Sequence, residues 1–184
     1  MKTIYFVRHC QAEGQHKDSP LTKEGLLQAE QLADFFRGQD ISIDQIISSP
    51  FLRATDSIRP FAEQAGISIK LDDRLGERIL SEEPVDDWLD VLEESFNHPD
   101  FCLPGGESAN DVLNRMNPLL DTVLEQPNIQ HTILVTHGNW LAILLQQYDS
   151  NFGFAEWKNL TNPDVYKVEY HPQQDIVASH VWQR

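Results

Sequence analysis

The stretch Ile4–Val7 constrains the fold of this chain more than any other. Four consecutive apolar residues, β-branched at both ends, are typical of a short strand that is buried on both faces. The run passes directly into Arg8 and His9, without an intervening turn residue. Because ligands in open α/β sheets bind just beyond the carboxyl ends of the strands, this position suits an anion. Arg-His pairs are also common in solvated loops, so the motif needs a second observation.

A second apolar run of the same kind lies far downstream. Thr132–Val135 continues into Thr136, His137 and Gly138, so this run also ends in a histidine. The carboxyl ends of neighbouring parallel strands meet at one edge of a sheet. The sequence therefore predicts that His9 and His137 contribute to one site.

Helices and strands alternate along the first part of the chain. The predicted elements are a helix capped by Thr22 and stopped at Gly38, a strand at Ile46 and Ile47, a helix beginning near Phe51, and a strand over Ile67–Leu71. This order indicates crossover connections and a mostly parallel sheet. Near the C-terminus, Tyr166–Tyr170 alternates apolar and charged residues, and Ile176–Trp182 is its expected partner at a sheet edge. We expect an α/β fold with a mostly parallel central sheet and an antiparallel edge strand.

The middle of the chain, residues 72–103, is strongly acidic. An amphipathic helix is predicted there, with Val85, Leu89, Leu92 and Phe96 on its apolar face and its acids in water. Because the segment has no core of its own, we interpret it as an excursion over the active site. Residues 1–184 then form one domain.

The charge of the chain limits its partners. The formal net charge is −15, from 29 acidic and 14 basic residues. Nucleic acids and anionic membranes prefer basic surfaces, so neither is an expected partner. An anionic ligand must instead be held by a local cluster of arginines. The spacing of Cys10 and Cys102 fits neither a zinc site nor a redox pair, and no signal or membrane-spanning run is present, so a cytoplasmic location is expected. The sequence leaves the oligomeric state open.

Several short motifs occur in an order and spacing that resemble the histidine phosphatase superfamily, which includes the phosphoglycerate-mutase-like enzymes. They are Arg8–His9, Pro20–Thr22 with Gly25 and Gln28–Ala29, Ser48–Pro50 with Arg53–Ala54, Gly105–Ser108, and Thr136–Gly138. Each motif is weak alone, but the set is specific and covers nearly the whole chain. The resemblance implies a three-layer α/β/α fold, a phosphohistidine intermediate, a small phosphorylated substrate and no metal or other cofactor.

The chemistry of phosphoryl transfer assigns roles to four of these residues. Arg8 and Arg53 can each present a planar pair of donors to phosphoryl oxygens. His9 is placed to be the nucleophile, which requires a neutral ring whose second nitrogen donates to a backbone carbonyl. His137 can then stabilise the transition state by hydrogen bonding to the phosphoryl oxygens.

A carboxylic acid must protonate the leaving group, and the family pattern implies Glu77, since Leu75–Glu77 matches the Leu-x-Glu that follows the third strand. Gln15, Ser19 and the Gly138 amide are further candidate phosphate donors. The sequence departs from the family pattern at Cys10, where glycine is usual, and at Ala12, where threonine is common. Gln15 also replaces a frequent asparagine. These departures affect the substrate more than the core reaction.

Four functions remain compatible with the sequence. The first is a metal-independent phosphatase that acts on small phosphate monoesters. The second is a phosphoglycerate-type mutase, which the family resemblance disfavours because mutases carry extra segments and this chain is short. The third is a non-catalytic phosphate-binding module, which would be expected to have lost Arg8, His9 or the acid. The fourth is a metal hydrolase built on His9 and His137, disfavoured because arginines repel a divalent cation.

Overall fold

Six strands form one mixed sheet at the centre of the protein. The computed structural model describes residues 1–171 and 176–183, and these strands and the helices around them lie within those ranges. The strands are β1 (Lys2–Arg8), β2 (Gln45–Ser48), β3 (Ile69–Leu71), β4 (His131–Thr136), β5 (Asp164–Tyr170) and β6 (Val177–His180). The helices are α1 (Lys23–Arg37), α2 (Leu52–Ala65), α3 (Trp88–Asn97), α4 (Ala109–Leu124), α5 (Gly138–Tyr148) and α6 (Phe154–Asn159), and a 3₁₀ turn covers Asp73–Leu75.

The order of the strands across the sheet is β3-β2-β4-β1-β5-β6. The first four are mutually parallel, β5 is antiparallel to β1, and β6 is antiparallel to β5 at the edge. This confirms the α/β fold and the antiparallel edge strand. Because β4 lies between β1 and β2, Arg8 is level with Thr136, and Ser48 is level with Val135. The carboxyl ends of the three strands therefore meet at one edge.

The sheet has a hydrophobic core on each face. Ile4 and Phe6 of β1 belong to the core that includes the buried side chains of α4 and α5. Tyr5 and Val7 point to the opposite face, where they pack with those of α1 and α2. Successive strand residues alternate between faces, so a strand covered on both sides is apolar at every position. The layers are thus helix, sheet and helix, as expected.

The first helix begins and ends where predicted, and a second helix is capped at its start in a similar way. The Thr22 hydroxyl accepts the Gly25 N–H at 2.9 Å, and α1 ends at Gly38. At the start of α4, Ser108 and Asp111 form a capping box in which each side chain accepts the other residue's backbone N–H. Both caps satisfy N–H groups that the first turn of a helix leaves without partners.

The acidic middle of the chain differs in detail from its prediction. Helix α3 begins at Trp88, after Val85, and only part of the predicted apolar face is buried. Leu92 is 1% exposed, whereas Leu89 is 43% exposed, so its assignment to the buried face is wrong. Helix α6 was not predicted, because its six residues are too few to show a helical period. No helix within the described ranges is long and apolar enough to cross a membrane.

Candidate active site

The ends of β1, β2 and β4 are joined by backbone hydrogen bonds beyond the last paired residues. The His9 N–H donates to the Thr136 carbonyl at 3.1 Å, and the Ser49 N–H donates to the Val135 carbonyl at 2.9 Å. The Thr136 hydroxyl donates to the Leu75 carbonyl at 2.8 Å, which ties the 3₁₀ turn to the same place. The residues that follow these strands are therefore held on rigid backbone.

The hydrogen bonds of His9 fix its tautomer. Its Nδ1 lies 2.6 Å from the Cys10 carbonyl, and a carbonyl oxygen can only accept, so Nδ1 carries the hydrogen. Its Nε2 is then the nitrogen with the lone pair, and it accepts the Nε–H of Arg53 at 3.2 Å. This is the arrangement required of a histidine nucleophile that attacks through Nε2.

Burial keeps the His9 ring neutral. The residue is 8% exposed, and this desolvation lowers its pKa to about 3; Arg53 and Arg8 lower the pKa further, while the Cys10 carbonyl opposes the shift. A neutral imidazole retains the Nε2 lone pair throughout the physiological pH range. Protonation of His9 should therefore not limit the reaction near neutral pH.

The depressed pKa makes the folding stability depend on pH. Between pH 6.5 and about 3, the unfolded chain binds a proton at His9 that the folded chain does not bind. The contribution of His9 therefore leaves the free energy of unfolding unchanged above pH 6.5 and lowers it progressively as the pH falls towards 3. Replacement of His9 by glutamine should remove about 1.4 kcal/mol of this loss per pH unit. Urea unfolding of both proteins at pH 7.5, 6 and 5 measures the difference, and parallel pH curves would contradict it.

Arg53 lies in the first turn of α2 and is 1% exposed. Besides its contact with His9, its Nη1 donates to the carbonyls of Gln15 and His16 at 3.1 and 2.9 Å. The guanidinium thus joins the nucleophile to the loop of residues 11–20. Since its Nη2 forms no hydrogen bond in the described structure, the two N–H groups of that nitrogen remain for phosphoryl oxygens.

Arg8 is held from the opposite side of the site. Its Nη1 donates to the carbonyls of Leu160 and Thr161 at 2.9 and 3.4 Å, just after α6. Its Nε is buried and has no hydrogen-bond partner among the described residues. The guanidinium lies against Gly138, where an added Cβ would come within 3.2 Å of three of its atoms. Glycine at this position therefore allows Arg8 to approach the N-terminus of α5.

His137 is fully buried between β4 and α5. Its ring centroid is 5.1 Å from that of His9, and its Nε2 lies 2.8 Å from the Ser49 hydroxyl. Burial, together with the nearby His9 and arginines, holds the pKa of His137 well below its usual range. Its Nδ1 is buried without a partner in the described structure. The ring hydrogen is on Nδ1 if Ser49 donates to Nε2, and on Nε2 if Ser49 accepts. Either tautomer leaves the neutral ring with one N–H donor.

Glu77 lies at the N-terminus of α5, the helix that directly follows His137. Its Oε1 accepts the backbone N–H groups of Arg78 and Trp140 at 2.8 and 3.0 Å, and its Oε2 accepts that of Asn139 at 3.1 Å. The positive end of the helix dipole adds to the binding of the carboxylate. From the described residues Oε1 accepts two hydrogen bonds and Oε2 accepts one, so Oε2 is the oxygen with more room for a proton.

The backbone on both sides of Glu77 is also fixed. Arg115 of α4 donates to the Arg74 carbonyl at 2.7 Å and pairs with Glu107 at 2.7 Å. The Glu107 carboxylate also accepts the Ile79 N–H at 3.0 Å. We call Arg8, His9, Arg53 and His137 the phosphate cluster. Glu107, part of the Gly105–Ser108 motif, instead holds the backbone beside the predicted acid through these contacts.

Of the remaining predicted phosphate donors, Gly138 lies against Arg8, whereas Gln15 and Ser19 belong to the more exposed loop of residues 11–20. The Gln15 side chain is exposed, and it is the Gln15 backbone carbonyl that contacts Arg53. Ser19 is half-buried in the same loop, and Gly138 is the first residue of α5. The Cys10 side chain is buried, and burial raises the pKa of its thiol to about 12, which suits packing and not nucleophilic attack.

Three contacts of the site were not predicted from the sequence. The Asn162 side chain donates to the His9 carbonyl at 2.8 Å, and the Ser57 hydroxyl accepts the Cys10 N–H at 2.7 Å. Asp164 is 1% exposed, and it acts on Arg8 by raising its pKa against the lowering effect of burial. Asn162 follows α6, which was itself unrecognised. The position of Asp164 as an acidic residue at the start of β5 is the only feature of the local sequence that could have indicated its interaction with Arg8.

No cluster of three or more His, Cys, Asp or Glu side chains suited to a metal ion occurs in residues 1–171 and 176–183. Arg53 instead donates to His9, and the charges of Arg8 and Arg53 lower the pKa of both histidines. Two neutral imidazoles and two arginines therefore form the centre of the site, with Glu77 at its side.

The chain is similar to known proteins over nearly its whole length. The family model described as histidine phosphatase superfamily (branch 1) matches residues 4–183. A relative named probable phosphoglycerate mutase from Salmonella choleraesuis is 30% identical, with 98% of this chain and 91% of the relative aligned.

Solved structures match the fold over the same length. A mycobacterial glucosyl-3-phosphoglycerate phosphatase with inorganic phosphate has a TM-score of 0.77 at 24% identity, covering 99% of this chain and 97% of its own. A putative alpha-ribazole-5'-P phosphatase from Escherichia coli also has a TM-score of 0.77, at 16% identity, covering 100% of this chain and 97% of its own.

Proposed function

We propose that this chain, which belongs to the histidine phosphatase superfamily, is a metal-independent phosphatase that hydrolyses small phosphate monoesters through a phosphohistidine at His9. The observation that carries the proposal is the His9 tautomer. Nδ1 donates to the Cys10 carbonyl, and among the described residues the Nε2 lone pair accepts a single hydrogen bond, from the Nε–H of Arg53. A phosphoryl group that enters between them can take this N–H as a donor and release the lone pair for attack.

The first step transfers the phosphoryl group to the enzyme. The Nε2 lone pair of His9 forms a bond to phosphorus while the bond from phosphorus to the ester oxygen breaks. Arg8, Arg53 and His137 stabilise the charge on the equatorial oxygens. Three N–H donors and the N-terminus of α5 favour the carboxylate form of Glu77, so the mechanism requires that Oε2 takes up a proton as the negatively charged ester binds beside it. Glu77 then gives this proton to the departing oxygen, so that an alcohol leaves.

The second step releases inorganic phosphate. Glu77, now a carboxylate, takes a proton from a water molecule whose oxygen attacks phosphorus. The bond between phosphorus and Nε2 breaks, and its electron pair returns to the ring. His9 is again neutral with its hydrogen on Nδ1, and Glu77 is again protonated.

A phosphoglycerate-type mutase is the second candidate, supported by the names of curated relatives. The shortness of the chain no longer separates the two functions, because 91% of the probable mutase aligns with 98% of this chain. Incubation with 3-phosphoglycerate distinguishes them. We expect no 2-phosphoglycerate; its formation faster than phosphate release would favour the mutase.

Hydrolysis of 4-nitrophenyl phosphate tests the proposal directly. We expect turnover that is unchanged by EDTA, because arginines and not a metal ion bind the phosphoryl oxygens. Vanadate should inhibit competitively, since its five-coordinate form resembles the transition state. Loss of activity on chelation, restored by an added divalent cation, would overturn the metal-independent mechanism.

A further inference from the structure

The residues that follow Glu77 connect two parts of the structure that hold site residues. We call residues 79–100 the mouth segment. On one side it begins two residues after Glu77, where the Ile79 N–H is bound by Glu107. On the other side, the Trp88 ring lies 6.2 Å from that of Trp157 in α6. Arg8 donates a hydrogen bond to the carbonyl of Leu160, the residue that ends α6. The segment therefore extends from the predicted acid Glu77 to the side of the phosphate cluster where Arg8 lies.

The mouth segment carries a large negative charge. It contains eight acidic residues and neither lysine nor arginine. The side chains of Glu82, Glu83, Asp86, Asp87 and Asp90 are exposed and form no salt bridge with any described residue. Arg78 adjoins the segment and donates to its Ser95, so this buried guanidinium offsets one of the eight negative charges. The remaining charge is still negative, and its field acts on the part of a substrate that extends out of the phosphate cluster.

No further arginine of the described chain is free to bind a second anionic group. Besides Arg8 and Arg53, every described arginine already has a partner. These pairs are Arg37 with Asp34, Arg59 with Asp56, Arg74 with Asp72, Arg115 with Glu107, and Arg78 with Ser95 and two backbone carbonyls.

The lysines near the site also provide no net positive charge for a second anionic group. Lys17 lies in the loop of residues 11–20, where Glu13 and Asp18 leave a negative sum. Lys158 lies in α6 beside Glu156 and is directed at the Phe154 ring, 5.3 Å from its centroid.

The same segment exposes apolar surface. Ile79 is 54% exposed, Trp88 46% and Leu89 43%. These side chains can cover the carbon skeleton of a bound ester by removing it from water. An indole beside carboxylates also favours a cationic group over an anionic one.

We infer that the alcohol part of the substrate carries no second negative charge and is neutral or cationic, with some apolar surface. This inference rests on the proposed function, because it concerns the leaving group of the same reaction. Two arginines suffice for one phosphoryl group, and nothing described beside them compensates a carboxylate or a second phosphate. Phosphorylated acids such as phosphoglycerates are therefore disfavoured substrates.

Three aryl esters that differ mainly in charge test the inference. They are 4-methylphenyl, 4-(aminomethyl)phenyl and 4-carboxyphenyl phosphate. At about 10 mM ionic strength, we expect kcat/KM for the carboxylate ester to be at least about tenfold lower than for the other two. At about 1 M salt the difference should shrink to about threefold or less, because charges are screened beyond about 3 Å. Equal rates, or preference for the carboxylate, would overturn the inference.

Variants locate the source of the discrimination. The ratio to follow is kcat/KM for the 4-methylphenyl ester divided by kcat/KM for the 4-carboxyphenyl ester at low salt. Replacing Glu82, Glu83, Asp86, Asp87 and Asp90 by their amides should reduce this ratio by at least about threefold. A matched control replaces five exposed acids elsewhere, Glu30, Asp40, Glu63, Asp121 and Glu125, by their amides and should leave the ratio unchanged. The same decrease in both variants would show that net charge, and not the mouth segment, discriminates.

Failure of the inference differs from failure of the proposed function. If none of the three esters releases phosphate, the proposed function fails. If all are hydrolysed at similar rates through His9, the function stands and the inference fails.

Discussion

Replacement of His9 by alanine is expected to lower kcat for 4-nitrophenyl phosphate by a factor of at least about 10⁴. The variant loses the Nε2 lone pair that the Cys10 carbonyl and Arg53 orient, so the covalent intermediate cannot form. Arg8, Arg53 and His137 would still bind the phosphoryl group, so KM should change much less than kcat. Steady-state kinetics of both proteins measures the effect.

Trapping of the intermediate supplies an independent readout. Acid-labile, alkali-stable label from a ³²P-labelled ester should accumulate on the wild-type protein after rapid quenching and be missing from His9→Ala. His171→Ala is a suitable control, since His171 forms no side-chain hydrogen bond in the described structure. Circular dichroism establishes that the variants are folded. A folded His9→Ala protein with the wild-type rate would remove His9 as nucleophile.

Replacement of Glu77 by glutamine is expected to slow esters with poor leaving groups by about 10²- to 10⁴-fold. Alkyl oxygens need a proton as they leave, and the amide has none to give. The decrease in kcat/KM for 4-nitrophenyl phosphate should be less than about tenfold, because this constant reports the first step and nitrophenolate leaves without protonation. Its kcat should fall further, since Glu77 also activates water in the second step. The ratio of kcat/KM for an alkyl and an aryl ester isolates the role of the acid from any loss of structure.

The hydrogen bonds of Glu77 make a control necessary. Three backbone N–H groups donate to its two oxygens, so the amide NH₂ of glutamine also removes one acceptor. Stability should therefore decrease, which unfolding in urea records separately. Glu125→Gln changes an exposed acid at the end of α4 and should leave both ester rates unaltered. Equal slowing of alkyl and aryl esters by Glu77→Gln would place the proton donor elsewhere.

The local elements were predictable because their signals lie within a few residues. The apolar run before Arg8, the Thr22 cap and the Ser108–Asp111 box each specify backbone through neighbouring side chains. Helix α6 was missed because one and a half turns give no clear period. Leu89 was misassigned because a helical face shows which residues align, but not whether another element covers them.

The sequence by itself determined the chemical groups of the site, which are two arginines and two histidines at the ends of strands or helices. Its net negative charge also disfavours the binding of anions anywhere but at such a local cluster of arginines. Only the tertiary structure decided how those groups meet. Insertion of β4 between β1 and β2 brings His137 beside His9, although the two are far apart along the chain. The hydrogen bond from Arg53 to Nε2 of His9, and those from the N-terminus of α5 to Glu77, likewise depend on distances between elements. Periodicity along a chain records which face is buried, whereas contacts across a sheet depend on strand order and packing, which no local pattern contains.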